Sequence, residues 1–226
     1  MKRPCCKGVL VVAELGRVGY ADALAIQETM LAEVQEGGAD DMLLLLEHPP
    51  VFTLGRNAAE SNVLVSPARA AELGIGIVRT NRGGDVTYHG PGQLVGYPIL
   101  RLKERGLTVV GYVDALERML MAALMDFGIA TSSDSRRRGV WVGRDKIAAI
   151  GVRVSRGVSM HGFALNVAVD LTPYSYIVPC GLRDCGVTSL HLLKPDVDPA
   201  RVREAVVSHF ISEFGYERAR KTELRI

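Results

Sequence analysis

The apolar residues of this chain form two kinds of pattern, short uninterrupted runs and one long stripe with helical spacing. Runs of Val, Leu and Ile that end at Gly, Pro or charged residues predict strands. These predicted strands cover residues 8–15, 42–47, 51–54, 75–80, 94–102, 139–142, 146–154 and 160–169. The stripe predicts a helix over residues 109–127, because its apolar positions recur every three or four residues.

Three further helices are predicted from their start and stop signals. Residues 20–35 carry an apolar face and end just before a pair of glycines. Ser66-Pro67 and Asp198-Pro199 each put a capping side chain before a proline, which is typical of a helix N-terminus. Thr108 is the expected N-cap of the long helix. The charged tail after Gly215 is expected to fray.

This order of elements favours an α+β fold. Strands are grouped in runs with helices between some of them, and the sequence contains no internal repeat or low-complexity linker. The expectation is a mixed, largely antiparallel sheet with covering helices packed on one of its faces. Residues 1–226 are expected to form a single domain, in which residues 190–226 form a small helical extension.

Composition and charge narrow the function classes. The chain has 226 residues, of which 48% are hydrophobic and 23% charged, an ordinary balance for a globular protein. A net charge of +2, with no basic helix interleaved with aromatic residues, argues against nucleic acid as a partner. No apolar stretch approaches the ~20 residues of a membrane span, and the first residues do not resemble a signal peptide. The expected location is therefore the cytoplasm, where the four cysteines would stay reduced.

The most unusual stretch runs from Arg82 to Gln93 and reads Arg-Gly-Gly-Asp-Val-Thr-Tyr-His-Gly-Pro-Gly-Gln. Glycine lets the backbone approach a ligand closely and adopt positive φ. The stretch is therefore expected to form a loop shaped around a bound molecule, with Arg82, Asp85 and His89 as its polar tips.

Two residues further along the chain are candidates for nucleophilic chemistry. Cys180 lies between Pro179 and Gly181, a setting that can expose a thiol at a loop tip; an inert buried cysteine is the alternative. Lys146 enters an apolar strand, where its ammonium group would lose water and favour an anionic partner such as a thiolate. A lysine that reaches back to solvent is the alternative.

The histidines and the remaining cysteine allow other interpretations. His161 could act as a general base, although on spacing alone His161 and His89 are more often structural. Cys180, Cys185, His161 and His191 could form a metal or redox site, but the Cys-x4-Cys spacing is unusual for zinc and no second cysteine pair supports it. A non-catalytic carrier-binding protein is a further alternative.

Several motifs, taken in chain order, resemble those of the lipoyl(octanoyl) transferases. They are Thr53-Leu54-Gly55-Arg56, the glycine-rich stretch of residues 82–93, Lys146-Ile147-Ala148-Ala149-Ile150-Gly151, His161-Gly162-Phe163-Ala164-Leu165-Asn166 and Pro179-Cys180-Gly181. They span roughly residues 40–190. The resemblance implies a biotin/lipoate protein ligase-like α+β fold. It also implies transfer of an octanoyl group from octanoyl-acyl carrier protein to a lysine of lipoyl domains, the first step of lipoate synthesis.

The same resemblance implies roles for individual residues. Cys180 would be the catalytic nucleophile that carries the octanoyl group as a thioester, and Lys146 would be its catalytic partner. The residues that would bind the acyl substrate are Arg82, Gly83, Gly84, Asp85, Val86, Thr87, Tyr88, His89, Ala149, Ile150, Gly151, Gly162, Phe163 and Ala164. No metal and no cofactor is implied, and no ATP is needed because the incoming thioester is already activated.

The implied partners are proteins. Octanoyl-acyl carrier protein would be the donor, and the apo lipoyl domains of 2-oxoacid dehydrogenases and the glycine cleavage H protein would be the acceptors, with no nucleic acid and no membrane involved. The run Arg136-Arg137-Arg138 is typical of a solvated turn, and a functional alternative is that it meets an acidic carrier or lipoyl domain.

An ATP-dependent lipoate or biotin-type protein ligase is the alternative enzyme. Such ligases resemble this chain along the arginine-glycine stretch and do not need the Pro179-Cys180-Gly181 motif. The sequence has no Gly-x-x-x-x-Gly-Lys-Ser/Thr loop for phosphates.

Overall fold

The computed structural model describes residues 8–179 and 185–224. The strands in these ranges are β1 (Val9–Arg17), β2 (Met42–Glu47), β3 (Val51–Leu54), β4 (Gly76–Arg79), β5 (Val86–His89), β6 (Gln93–Ile99), β7 (Ser132–Ser133), β8 (Val140–Val142), β9 (Asp145–Ser155), β10 (Val158–Asn166), β11 (Gly186–Val187) and β12 (Arg218–Thr222). The helices are α1 (Tyr20–Gln35), α2 (Pro67–Glu72), α3 (Val109–Met125), α4 (Leu190–Leu193) and α5 (Pro199–Phe214), with 3-10 turns at Glu60–Asn62 and Thr172–Tyr176.

Two sheets organise these elements. The larger has nine strands in the order β12-β1-β2-β6-β10-β9-β8-β7, with β11 paired to β9. Its centre, from β2 to β9, is antiparallel, whereas β12, β1 and β2 run parallel to one another. The smaller sheet has the order β4-β3-β5. The predicted α+β class with a mixed, largely antiparallel sheet is therefore confirmed.

Helices cover both faces of the large sheet, so the expectation of a single covered face is wrong. In β2, Leu43 and Leu45 belong to a core shared with α3 and α5, whereas Leu44 and Leu46 belong to a second core shared with α1. The physical reason lies in β2 itself, whose run of consecutive apolar residues sends side chains alternately to opposite faces. A strand of this kind needs cover on both sides.

The helices begin at the predicted capping residues. The side chain of Thr108 accepts a hydrogen bond from the Gly111 N–H, and Ser66 and Asp198 cap their helices in the same way. Each such cap stabilises a helix by about 1 kcal/mol. Over the described ranges, no helix is both long enough and apolar enough to cross a bilayer.

The charged tail forms a strand, so the prediction that it frays is wrong. β12 pairs in parallel with β1 through a register that joins Val9 to Arg218 and Ala13 to Thr222. The edge of β1 offers unpaired backbone groups that a further strand satisfies. The charged side chains of β12 stay in water, where Lys221 Nζ lies 2.9 Å from Glu14 Oε1.

Candidate active site

A narrow slot lies between the small sheet and one face of the large sheet. The middle of β9 and of β10 forms one wall, and the glycine-rich stretch with β5 forms the other. The lining residues are Tyr20, Arg82, Gly84, Asp85, Thr87, His89, Tyr97, Ala149, Ile150, Gly151, His161, Gly162, Phe163 and Ala164. The slot leaves ≈ 40 Å³ for the centres of water-sized molecules, which is room for about three of them.

Most of the residues predicted to bind substrate line this slot, and three do not. Val86 and Tyr88 pack in the core beneath the small sheet, because successive residues of β5 face opposite sides and only Thr87 and His89 face the slot. Gly83 lies just beside the slot, where its N–H donates to the Val152 carbonyl of β9 at 2.9 Å.

Arg82 holds the glycine-rich loop onto the small sheet. Its guanidinium donates to the backbone oxygen of Thr53 at 2.6 Å, to the Thr53 hydroxyl at 2.9 Å and to the Asp85 carbonyl at 2.7 Å. The residue is only 8% exposed. Buried charge-assisted hydrogen bonds of this kind are among the stronger ones in proteins. The side chain that the sequence offers as a ligand-binding tip therefore shapes the wall of the slot.

Gly151 allows the two walls to come together. A Cβ at this position would lie 2.9 Å from the Gly83 carbonyl oxygen and 3.2 Å from Arg82 Cδ. Any larger residue would push the glycine-rich loop away from β9. The glycine of the Lys146–Gly151 motif thus sets the width of the slot.

The polar end of the slot holds uncharged histidines. Burial lowers the pKa of His161 to about 3, with the Arg82 charge adding to the effect. The pKa of His89 is lowered as well, first by burial and next by His48. His161 Nε2 lies 2.7 Å from Asn81 Oδ1, and its buried Nδ1 has no hydrogen-bond partner among the described residues. A ring with so low a pKa is a poor general base at neutral pH, which argues against that role for His161.

The chain approaches the Cys180 segment from two anchored ends. Cys180 itself, the predicted nucleophile, lies outside the described residues. Before it, the Val178 N–H donates to the Asn62 carbonyl at 2.7 Å, and Asn62 Nδ2 donates to Asp85 Oδ2 at 2.6 Å. The first anchor therefore lies at the glycine-rich loop.

After the Cys180 segment, the chain is anchored beside Lys146. Val187 of β11 pairs with Lys146 of β9, and the Thr188 N–H donates to the Lys146 carbonyl at 3.0 Å. A buried amide network holds the same segment from the other side, since Asn166 donates to the Thr188 carbonyl at 3.0 Å and receives a bond from Gln93.

Lys146 is buried at the start of β9, three residues before the slot-lining Ala149. The residue is 6% exposed, so it is not a lysine that reaches solvent. Its Nζ donates to the Arg138 carbonyl at 3.0 Å and lies 4.7 Å from the centre of the Trp141 ring. A carbonyl oxygen and an aromatic face both favour a cation at this position.

The alternative metal site gains no support from the described histidines. His161 contacts Asn81 Oδ1, and His191 Nε2 lies 2.9 Å from the Val197 carbonyl. Within residues 8–179 and 185–224, no three His, Cys, Asp or Glu side chains lie close enough together to hold a metal ion.

Sequence reasoning did not identify Tyr20 and Tyr97 as slot residues. Tyr20 is the first residue of α1 and donates to the Thr80 hydroxyl at 3.0 Å, while Tyr97 lies in the middle of β6 and contacts His48 Nε2 at 2.7 Å. Neither residue belongs to a motif, and an isolated tyrosine in an apolar element is typical of a core position.

Several solved structures with the same fold are lipoate and biotin ligases. A crystal structure of lipoate-protein ligase A bound with ATP has a TM-score of 0.80 at 18% identity, covering 97% of this chain and 90% of that one. A putative lipoate protein ligase from T. acidophilum with bound lipoic acid has a TM-score of 0.79 at 18% identity, covering 97% and 90%. Biotin protein ligase from Aquifex aeolicus with biotin and ATP has a TM-score of 0.54 at 15% identity, covering 91% and 70%. The expected biotin/lipoate protein ligase-like fold is confirmed.

Sequence identity to a second group, proteins named Octanoyltransferase, is much higher than to these ligases. The Octanoyltransferase of Solibacter usitatus is 50% identical over 215 residues, which cover 95% of each chain. That of Alkaliphilus metalliredigens is 46% identical over 210 residues, covering 92% of this chain and 96% of the relative. Residues 19–211 match the family described as the lipoyl protein ligase A/B catalytic domain. This protein therefore belongs to the lipoyl protein ligase A/B catalytic family and, within it, to the lipoyl(octanoyl) transferases.

Proposed function

We propose that this protein is an acyltransferase that moves an octanoyl group from octanoyl-acyl carrier protein to a lysine of lipoyl domains. The observation that carries the proposal is the slot itself. Its walls come from the family motifs, and one wall includes residues of β9, the strand that also carries Lys146. Relatives between 43% and 51% identical carry the name Octanoyltransferase, whereas the three ligase structures described above are 15% to 18% identical. The balance of similarity therefore favours acyl transfer over ATP-dependent ligation.

The walls of the slot suit an unbranched acyl chain. The slot is lined by the small residues Ala149, Gly151, Gly162 and Ala164, and Phe163 adds an apolar surface. Burial of each methylene contributes about 0.8 kcal/mol, so a medium-length chain would gain several kcal/mol over a short one.

Cys180 and Lys146 are proposed as the catalytic pair. The two anchors of the Cys180 segment support this pairing, because one lies at the Asp85 side of the slot and the other is paired to Lys146. We therefore propose that the Cys180 thiol, which follows Val178 by two residues in the sequence, reacts at the slot with the Lys146 ammonium group as its partner.

The first half of the reaction would transfer the acyl group to the enzyme. The Cys180 thiolate, stabilised by the Lys146 ammonium, would attack the thioester carbonyl of the donor. A new carbon–sulfur bond forms at Cys180, and the bond to the carrier thiol breaks. Because both sulfurs are alike as leaving groups, the exchange costs little free energy, and no ATP is required. Backbone N–H groups of the glycine segments are candidates for holding the oxyanion.

The second half would pass the acyl group to the acceptor. The thiolate charge disappears once the thioester forms, so Lys146 can take up a new role. Lys146 would give its proton to the departing carrier thiolate in the first half, and the resulting neutral amine would accept a proton from the incoming lysine ammonium of a lipoyl domain. The free acceptor amine then attacks the thioester, the Cys180 sulfur leaves as a thiolate paired with the Lys146 ammonium, and the amide forms with release of one proton to solvent.

Both partners would be small protein domains. A solved structure with the same fold is that of a bipartite lipoate protein ligase and its E2 lipoyl domain from Thermoplasma acidophilum, which supports a lipoyl domain as the acceptor here. The cytoplasm, where thiols stay reduced, is the proposed location.

Intact-mass spectrometry after incubation with octanoyl-acyl carrier protein tests the function. We expect the protein to gain the mass of one octanoyl group and to lose it again when an apo lipoyl domain is added. Cys180→Ala is expected to abolish the adduct, while Cys185→Ala serves as the control that keeps it. A stable adduct on Cys180→Ala would refute the assignment. Transfer that needs free octanoate and ATP, with Cys180 dispensable, would support the ligase alternative.

The pH dependence of Cys180 alkylation tests the role of Lys146. We expect the midpoint of the alkylation rate to move to higher pH in Lys146→Ala, because the thiolate loses the nearby positive charge. Lys221→Ala, at a side chain that is 80% exposed, is the control and should keep the wild-type midpoint. If Lys146→Ala also keeps that midpoint, Lys146 does not stabilise the thiolate.

A further inference from the structure

A carboxylate is buried on the apolar stripe of α3. Glu117 is 3% exposed and lies among the residues with which α3 packs against the large sheet. A buried carboxylate is costly unless hydrogen bonds and an opposite charge offset its loss of water. An apolar side chain at this position would continue the stripe at no such cost. The contacts of the Glu117 carboxylate therefore indicate its role.

Glu117 holds one turn of backbone just before β8. Its Oε1 accepts a hydrogen bond from the Gly139 N–H at 2.8 Å, and its Oε2 accepts one from Arg138 Nη1 at 3.0 Å. Arg138 also pairs with Asp114, one turn earlier on α3, and that hydrogen bond is the first cause of the raised pKa of Arg138. The Arg136–Arg138 run is thus tied to α3 at Arg138 instead of being a wholly solvated turn.

The backbone turn that Glu117 binds also contacts Lys146. The carbonyl oxygen of Arg138, the residue that Glu117 binds through its side chain, accepts the hydrogen bond from Lys146 Nζ at 3.0 Å. Gly139 has a φ of 130°, and a Cβ there would lie 2.6 Å from the Ala148 carbonyl and 3.2 Å from Lys146 Cε. The backbone that Glu117 anchors therefore binds Lys146 Nζ at Arg138 and leaves no room for a side chain beside the lysine stem at Gly139.

Strand geometry completes the surroundings of the lysine. Trp141 of β8 pairs with Lys146 of β9, and a register shift between Val140 and Trp141 marks an irregularity in the ladder. Such irregularities re-aim side chains and are frequent next to active sites. The Trp141 indole N–H donates to the Arg137 carbonyl at 2.9 Å, so the ring under the ammonium is fixed by the same turn.

We propose that Glu117 is a positioning residue, which fixes the Arg138 carbonyl and through it the ammonium group of Lys146. The inference rests on the proposed function, in which Lys146 is the partner of the nucleophile. It extends that function to α3, a helix that does not line the slot. A carboxylate on α3 thereby sets the position of the Lys146 ammonium group.

Chemical labelling of Lys146 tests the positioning without any need for catalysis. Three variants are compared with the wild type. Glu117→Gln keeps an acceptor for the Gly139 N–H, Glu117→Leu removes both contacts, and Asp114→Asn removes the other carboxylate on Arg138 as the matched control. Acetic anhydride labelling, resolved by peptide mass spectrometry, is measured relative to the exposed Lys221. We expect the Lys146 rate to rise several-fold in Glu117→Leu, less in Glu117→Gln, and to stay unchanged in Asp114→Asn.

Steady-state kinetics test whether the position matters for the reaction. With Glu117→Leu we expect kcat to fall about tenfold to a hundredfold, as for a misplaced catalytic group, while KM for the octanoyl donor stays within about twofold. Glu117→Gln should recover part of kcat, and Asp114→Asn should retain nearly all of it. All rates are measured well below the melting temperature of each variant.

The outcomes separate the inference from the function beneath it. An unchanged Lys146 labelling rate in Glu117→Leu would overturn the inference, as would a loss of kcat no larger than that of Asp114→Asn. If Glu117→Leu fails to fold, Glu117→Gln decides by the same two criteria. A wild-type protein without octanoyl transfer, or a Lys146→Met variant with wild-type turnover, would overturn the proposed function. In that case the labelling result still reports whether Glu117 positions Lys146.

Discussion

Acidification from pH 7 to pH 5 is expected to destabilise this protein through its buried histidines. His161 has a folded-state pKa of about 3, against about 6.5 in an unfolded chain. Between these values the unfolded state binds a proton that the folded state does not, so the free energy of unfolding decreases as the pH falls. The stabilisation is fully present above pH 6.5 and is lost progressively below it.

The magnitude follows from the difference in pKa. Each pH unit below 6.5 costs about 1.4 kcal/mol per histidine, so His161 alone lowers the free energy of unfolding by about 2 kcal/mol at pH 5. His89 and His48 also have lowered pKa values, with burial as the first cause, and they add to the loss in the same direction. Asp134 and Asp170 have pKa values below their usual 3.8, so their contribution is lost only at more acidic pH.

Urea unfolding at pH 7, 6 and 5 measures this effect. With a slope of about 2 kcal/mol per molar urea, His161 alone should lower the midpoint by roughly 1 M between pH 7 and pH 5. His161→Asn is the informative variant, because asparagine tolerates the positive φ of 55° found here and does not titrate. It should show a midpoint that depends less on pH. A proton NMR signal of the His161 ring that titrates near pH 6.5 in the folded protein would refute the reasoning.

Two substitutions in the slot test how its walls are built. Arg82→Lys should lower the free energy of unfolding by about 3 kcal/mol, because an ammonium cannot make the bonds of the guanidinium to Thr53 and Asp85; a urea midpoint within experimental error of the wild type would contradict this. Ala149→Leu should shorten the preferred acyl chain, because its larger side chain enters the slot. Displacing three methylenes at about 0.8 kcal/mol each predicts roughly a fiftyfold lower kcat/KM for an octanoyl donor, with little loss for a butyryl donor. An equal loss for every chain length would mean that the acyl chain does not pass Ala149.

The sequence by itself determined where three helices begin, that β2 is a buried strand, and to which family the chain belongs. The capping residues Ser66, Thr108 and Asp198 mark the helix starts because a cap acts on backbone groups two or three residues away. The run of leucines in β2 predicts a buried strand for a similarly local reason. The ordered motifs identified the family because each is a contiguous set of residues that can be recognised without knowing what it contacts.

Only the tertiary structure decided which side chains face the slot. Alternation along β5 sends Thr87 and His89 to the slot and Val86 and Tyr88 to the core, but the sequence does not say which face is which. The charged tail became a strand because the edge of β1 was open to it. Glu117 meets the turn before β8 across 22 residues of sequence, a contact set by how α3 packs on the sheet. Local signals extend over a few residues, whereas the free energy of such contacts depends on burial that the whole fold creates.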